Sequence, residues 1–135
     1  MENVEIRSPS FPDVPTNEFL EAEHNIQWHV LCGDKDHWRM GYYSPEASDL
    51  NQIEKLEKHT CPELFILMEG EVILVLAVNN ELRTLKLEKF KPVLVDTWHN
   101  AFCPGGALSG KVLIIERDHF TTEYRATKDC KTLSS

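Results

Sequence analysis

The chain has no long apolar run. The longest, Val72 to Val78, is a strand's length and far short of the roughly 20 residues that span a bilayer as a helix. It has no basic cluster either: 14 Lys and Arg stand against 22 Asp and Glu, a formal charge of −8. A nucleic-acid partner needs grouped cations to meet the phosphates, so none is expected, and no membrane is. The four cysteines, Cys32, Cys61, Cys103 and Cys130, form no Cys-x-x-Cys pair and no regular framework. The N-terminus lacks a basic start followed by an apolar stretch, so it does not read as a secretory signal. Together these features imply a cytoplasmic protein with free thiols. A G-x-S-x-G elbow, a P-loop and a G-x-G-x-x-G turn are also missing, and no Ser-His-Asp arrangement stands out.

What is present suits one ordinary globular domain: 135 residues, 41% apolar and 27% charged, enough to bury a core. Residues 1–23 hold Pro9, Pro12 and Pro15. They predict an extended N-terminal arm with one turn near Asn17 to Glu21, either packed on a neighbour or solvated. From Ile26 the pattern becomes β, with Gln27 to Leu31 ending at a Gly33-Asp34 turn. The next segment alternates, placing Trp38, Met40 and Tyr42 on one face and His37, Arg39 and Tyr43 on the other. Leu50, Ile53 and Leu56 recur at threes, which fits a short helix capped by Ser48 or Asp49; a twisted strand entering His59 fits as well. Leu64 to Met68, Val72 to Val78, Leu82 to Leu87, Pro92 to Val95 and Lys111 to Arg117 predict strands. Gly70 predicts a tight turn, and Asn79-Asn80 a hairpin turn, because Asn tolerates positive φ. Short strands at close spacing with little helix mean a sandwich or small barrel, and an all-β jelly roll fits. The expected division is an arm over 1–23, a barrel over 24–125 and a polar tail over 126–135.

Two imidazoles and a carboxylate bracket the central strands: His59, Glu63 and His99. Such a set, converging in the mouth of a β barrel, places a first-row metal or a small polar ligand. Alternation and position nominate Arg39, Tyr42, Trp98 and Phe102 for the substrate pocket, with Trp28 and His29 also in view. Arg39 would anchor a carboxylate or phosphate, since its planar fork bonds such groups in pairs. His24, His37 and His119 read as surface groups.

Over roughly residues 38–117 the chain resembles the cupin superfamily, whose motifs are G-x5-H-x-H-x3–4-E-x6-G and G-x5-P-x-G-x2-H-x3-N. Glu63 and Gly70 match the end of the first motif, His59 its second histidine, and His99 in T-W-H-N-A the histidine of the second motif. The first-motif histidine falls on Glu57. The Pro and Gly of the second motif fall on Leu94 and Asp96, and its closing Asn on Cys103. A shortened register makes His59 the first histidine and puts Cys61 in place of the second. The resemblance implies a cupin-type jelly-roll barrel, a homodimer, and a divalent metal (Fe, Mn, Ni or Zn) on His59, Glu63 and His99. Glu57 or Cys61 would complete the site or shuttle a proton. It implies a small polar, oxygen-rich ligand handled by isomerase, dioxygenase or lyase chemistry. A metal-free cupin that binds a small molecule or serves structurally is the competing expectation.

Overall fold

In a computed structural model the chain forms two antiparallel sheets facing one another; the structure describes residue 11 and residues 14–23 and 25–132. The strands are β1 (Trp28–Asp34), β2 (Trp38–Tyr43), β3 (Lys55–His59), β4 (Glu63–Glu69), β5 (Ile73–Val78) and β6 (Glu81–Lys86). They continue with β7 (Val93–Val95), β8 (Trp98–Phe102), β9 (Lys111–Arg117), β10 (Thr122–Ala126) and β11 (Lys131–Thr132). One sheet has the order β1-β2-β9-β4-β7, the other β10-β3-β8-β5-β6-β11. Chain neighbours such as β3 and β4 lie in opposite sheets, so the short link Thr60 to Pro62 carries the chain across the barrel, as a jelly roll requires. Among the described residues no helix is long and apolar enough to cross a membrane.

Two turns show why these residues fold this way. Asn79 and Asn80 both hold positive φ, 53° and 67°, and close the β5–β6 hairpin as a two-residue loop, a conformation that matches strand twist. Gly70 (φ +70°) turns β4 into β5, and a Cβ there would stand 2.6 Å from the Ser109 carbonyl oxygen.

Strand alternation feeds two apolar clusters. Inside the barrel lie Phe65, Leu67, Val72, Leu74, Leu87, Val95, Ala101, Cys103, Val112 and Ile114. The second cluster coats the outer face of the six-stranded sheet: Leu56, Val75, Ala77 and Leu82, roofed by Ile53 and Cys130. Along β5, Leu74 and Leu76 point to the first cluster and Val75 and Ala77 to the second. Cover on both faces explains the unbroken apolar run.

Three expectations change. Of the two readings of Leu50 to Leu56, the strand entering His59 forms, and the helix is reduced to a single 3-10 turn at Leu50–Gln52, capped by the Asp49 carboxylate accepting from the Asn51 amide at 2.8 Å. The chain then straightens into β3, so that Ile53 and Leu56 reach the same cluster from a turn and a strand. Trp98 to Phe102 forms a strand of its own. The segment expected as a polar tail continues the fold: a 3-10 turn covers Thr127–Asp129, Cys130 is buried, and β11 pairs in parallel with β6. In the arm, Phe11 stands edge-on against Trp38 at 5.1 Å, and Val14 and Pro15 lie beside Leu31 and Cys32.

Candidate metal centre in the barrel mouth

Both sheets contribute to the mouth. In β3 residues two apart share a face, so Glu57 and His59 point inward together. Glu57 pairs with His99 of β8, and His59 with Thr122 of β10. From the opposite sheet come Glu63 at the first position of β4 and Glu116 near the end of β9. These side chains line a cavity of about 440 Å³ with Arg39 and Tyr43 of β2, Trp28, Phe65 and Phe120.

His59, Glu63 and His99 meet at one point. Glu63 Oε1 lies 3.1 Å from His99 Nε2 and in direct contact with His59 Nε2. Glu57 Oε1 is 3.5 Å from His59 Nε2 and 3.7 Å from His99 Nε2. The other nitrogen of each ring is engaged: His99 Nδ1 is 2.8 Å from the Thr97 carbonyl, and His59 Nδ1 is 2.8 Å from Thr122 Oγ1. A carbonyl accepts only, so His99 Nδ1 carries a proton and donates it. Neutral His99 then presents a bare Nε2 lone pair to the carboxylate, and His59 does the same when its Nδ1 donates to Thr122. Lone pairs facing a buried carboxylate repel unless something positive lies between them. Glu63 Oε1 is buried with no aligned hydrogen-bond donor.

Protons or a metal ion can fill that role. Burial works against charge on His59, yet its contacts with Glu57 and Glu63 outweigh it and raise the imidazole to about 9. Burial likewise opposes charge on Glu63, and the two imidazoles overcome it, lowering the carboxyl to about 2. His99 is raised by Glu63 against the effect of its own burial. The spacing also fits an ion. Bonds of about 2.1 Å separate adjacent ligand atoms by ~3.0 Å in an octahedron and ~3.4 Å in a tetrahedron, close to the 3.1 Å from Glu63 to His99 and the 3.5 and 3.7 Å from Glu57 to the two imidazoles, while Glu63 and His59 lie closer together than that. The engaged Nδ1 atoms supply the outer support that metal-bound imidazoles ordinarily have.

Glu116 is a third acid at this point, absent from the sequence expectation. Its Oε1 accepts from Arg39 Nε and Nη2 at 3.1 and 3.0 Å, while Oε2 is buried without a partner. Ligand atoms of His59, Glu63 and Glu116 lie within 4.8 Å of one another. Burial, then the neighbouring Glu63, raises the Glu116 carboxyl, with Arg39 pulling the other way. Arg39 is itself wedged between the rings of Trp28 and Phe120, each 5.2 Å from its guanidinium carbon. The Trp28 ring sits where a Cβ on Gly41 would be, so only glycine permits this wall.

Of the other nominated residues, Arg39 lines the cavity; Tyr42, Trp98, Phe102 and Cys61 do not. Tyr42 is one step out of phase with Arg39 on β2, and Tyr43 takes the inward place. Trp98 and Phe102 flank His99 at odd steps and pack against the outer cluster. Cys61 is buried in the link between sheets rather than in the mouth. His29 faces away and accepts a hydrogen bond from the Glu23 amide at 3.0 Å.

A two-sheet jelly roll with a His/Glu cluster in its mouth defines the class of barrel. No protein-family model matches the chain, and no curated protein matches it in sequence. Solved structures do match. A cupin-2 domain protein from Shewanella frigidimarina aligns over 73% of this chain and 85% of its own, at 17% identity and TM-score 0.51. A cupin superfamily protein from Desulfitobacterium hafniense aligns over 82% of this chain and 99% of its own, at 16% identity and TM-score 0.53. FeII HppE aligns over 76% of this chain and 62% of its own, at 11% identity and TM-score 0.54. The chain has the cupin fold.

Proposed function

We propose that the protein is a small cupin-fold enzyme that holds a divalent ion on His59, Glu63 and His99 and acts on a small polar, oxygen-rich metabolite. The supporting observation is the convergence of two imidazole Nε2 atoms on one buried carboxylate oxygen. Fe, Mn, Ni and Zn all accept this donor set. When bound, such an ion supplies Lewis-acid polarisation of a carbonyl or carboxylate, a starting point shared by isomerase, dioxygenase and lyase chemistry. Glu57, half-buried on the open side, either completes the shell or moves a proton at the ligand. Arg39, held in plane by its aromatic neighbours, orients an acidic group of the ligand, and the Trp28 and Phe120 rings keep water from it. The four buried free thiols suit the reducing interior of a cell.

A second reading rests on the raised His59 and lowered Glu63: protons alone hold the cluster together, and the barrel binds a metabolite without metal. Plasma emission on protein purified without chelator, then loaded in turn with Fe, Mn, Ni and Zn, separates the two. The enzyme reading expects one ion per chain, falling below about a tenth in His99→Ala. Protein that takes up no ion under any loading is the binder.

A further inference from the structure

Three charged side chains stand in one row across the inner face of the five-stranded sheet. Arg39 of β2 pairs with Glu116 of β9. β9 pairs with β4 through Ile115 and Leu64, and one step further along that antiparallel register puts Glu116 opposite Glu63. Residues directly opposite on neighbouring strands share a face, and like charges so placed work against the pairing. Glu63 and Glu116 are both buried, 4% and 6% exposed. Glu63 Oε1 has no aligned hydrogen-bond donor, and Glu116 Oε2 is buried without a partner. One guanidinium serves both acids, and it spends Nε and Nη2 on the same atom, Glu116 Oε1. Within its own sheet the row is one cation short, and the balancing charge has to come from inside the barrel.

We propose that Glu116 is a fourth ligand of the ion, binding through Oε2 beside Glu63 from one sheet while His59 and His99 bind from the other. This rests on the metal centre proposed above and extends it to a residue that neither family motif reaches, since the second motif closes on Cys103. Reach is the first argument: ligand atoms of His59, Glu63 and Glu116 already lie within 4.8 Å of one another. Charge is the second. Two adjacent buried carboxylates are costly alone, and together they match the charge of one divalent ion.

Support from outside the shell is the third argument. Arg39 grips one oxygen of Glu116 and is itself held between the rings of Trp28 and Phe120. A ligating carboxylate is ordinarily fixed in this way by a hydrogen-bonding neighbour. Arg39 is therefore a positioning residue for Glu116 as well as a group facing the cavity. The donor set becomes two imidazoles and two carboxylates. It is harder than His59, Glu63 and His99 alone, and moves preference toward Mn2+ and Fe2+ and away from Zn2+.

Titration of Mn2+ and Co2+ into the full chain tests this, with the visible absorption of Co2+ reporting which atoms touch the ion and far-UV circular dichroism checking the fold. Glu116→Gln keeps the size of the side chain and an acceptor for Arg39 but gives the ion a poor donor. It is expected to weaken Mn2+ binding at least about tenfold and to move the Co2+ bands. Glu116→Asp is the second probe, and it decides the matter where the glutamine variant does not fold. It keeps the charge opposite Arg39, draws the oxygens back by one methylene, and is expected to move the bands as well. Folded variants that bind Co2+ with the wild-type bands overturn the proposal even where affinity falls, because a carboxylate acting from a distance leaves the bands in place. A wild-type chain that takes up neither ion overturns the metal centre itself, which sets that failure apart from this one.

Discussion

The two ends of the barrel are built on the same strands and could hardly differ more in character. On β9, Val112 and Ile114 enter the apolar core and Glu116, the next inward position, enters the mouth. On β4 the order is reversed: Glu63 opens the strand at the mouth, and Phe65 and Leu67 follow into the core. On β8, His99 precedes Ala101, and Cys103 follows just past the strand's end. From Glu63 to Leu67 and from Val112 to Glu116 the strand phase is unbroken, and only polarity changes with depth. The apolar end needs nothing but close packing. The mouth gathers three carboxylates, two imidazoles and a guanidinium, with Glu63, His99 and Glu116 buried, where a charge is costly unless it is paired. The apolar end therefore gives stability through packing alone, whereas the mouth holds together only while its charges are matched.

The sharpest way to break that division is to open a hole at the apolar end. Leu74 is fully buried in the inner cluster. Leu74→Ala removes three carbons and leaves a cavity, so it should cost about 2–5 kcal/mol, read as the shift in a urea unfolding midpoint. Metal uptake per folded chain should stay unchanged. If metal content fell with stability, the two ends would not be separable.

The mouth should show itself next, through pH. His59 is raised from 6.5 to about 9, so in the metal-free protein its contribution is complete below pH 6.5 and is lost as pH climbs through 9. Glu63 is lowered from 4.5 to about 2, so its contribution is complete above pH 4.5 and is lost as pH falls through 2. The thermal midpoint of chelator-treated protein should therefore peak between pH 4.5 and 6.5 and decline toward 9. Saturating Zn2+ should reverse the slope on the alkaline side, because the ion takes the place of protons that it must otherwise displace. A flat profile between pH 6.5 and 9 without metal would mean that the cluster does not hold itself together by charge.

The apolar end was the easier part to read from sequence, and physics explains why. Alternation is a local signal, so Leu64 to Met68, Val72 to Val78 and Lys111 to Arg117 announce their strands. His59, Glu63 and His99 were legible because motif spacing and residue type coincide. Glu116 follows from the same alternation that buries Val112 and Ile114, but a lone acid closing an apolar run, outside any motif, carries no signal that singles it out. Tyr42 was misplaced against its own phase: the pattern that faces Arg39 inward faces Tyr43 inward as well. Trp98 and Phe102 look like pocket aromatics only until His99 is given the inward position, which sends both to the far side of the sheet. Cys130 and β11 left no local trace, because their burial depends on contacts with strands some fifty residues earlier.

The smallest expected effect is a change of selectivity within the mouth. Glu57 pairs with His99 and stands two residues before His59 on the same face, where the resembling motif has a histidine. A carboxylate there favours harder ions, and an imidazole favours the borderline metals. Glu57→His should therefore raise affinity for Zn2+ or Ni2+ relative to Mn2+ by about tenfold, or ~1.4 kcal/mol. The fold should not change, since position 57 is half-buried at the rim and outside both apolar clusters. Competition against a chromogenic chelator at fixed pH gives the ratio directly. If the Zn2+/Mn2+ ratio does not move, Glu57 lies outside the ion's shell. The side chain then belongs with Arg39 among the groups that face the ligand, and the ion rests on His59, Glu63 and His99, with Glu116 as the nearest remaining acid.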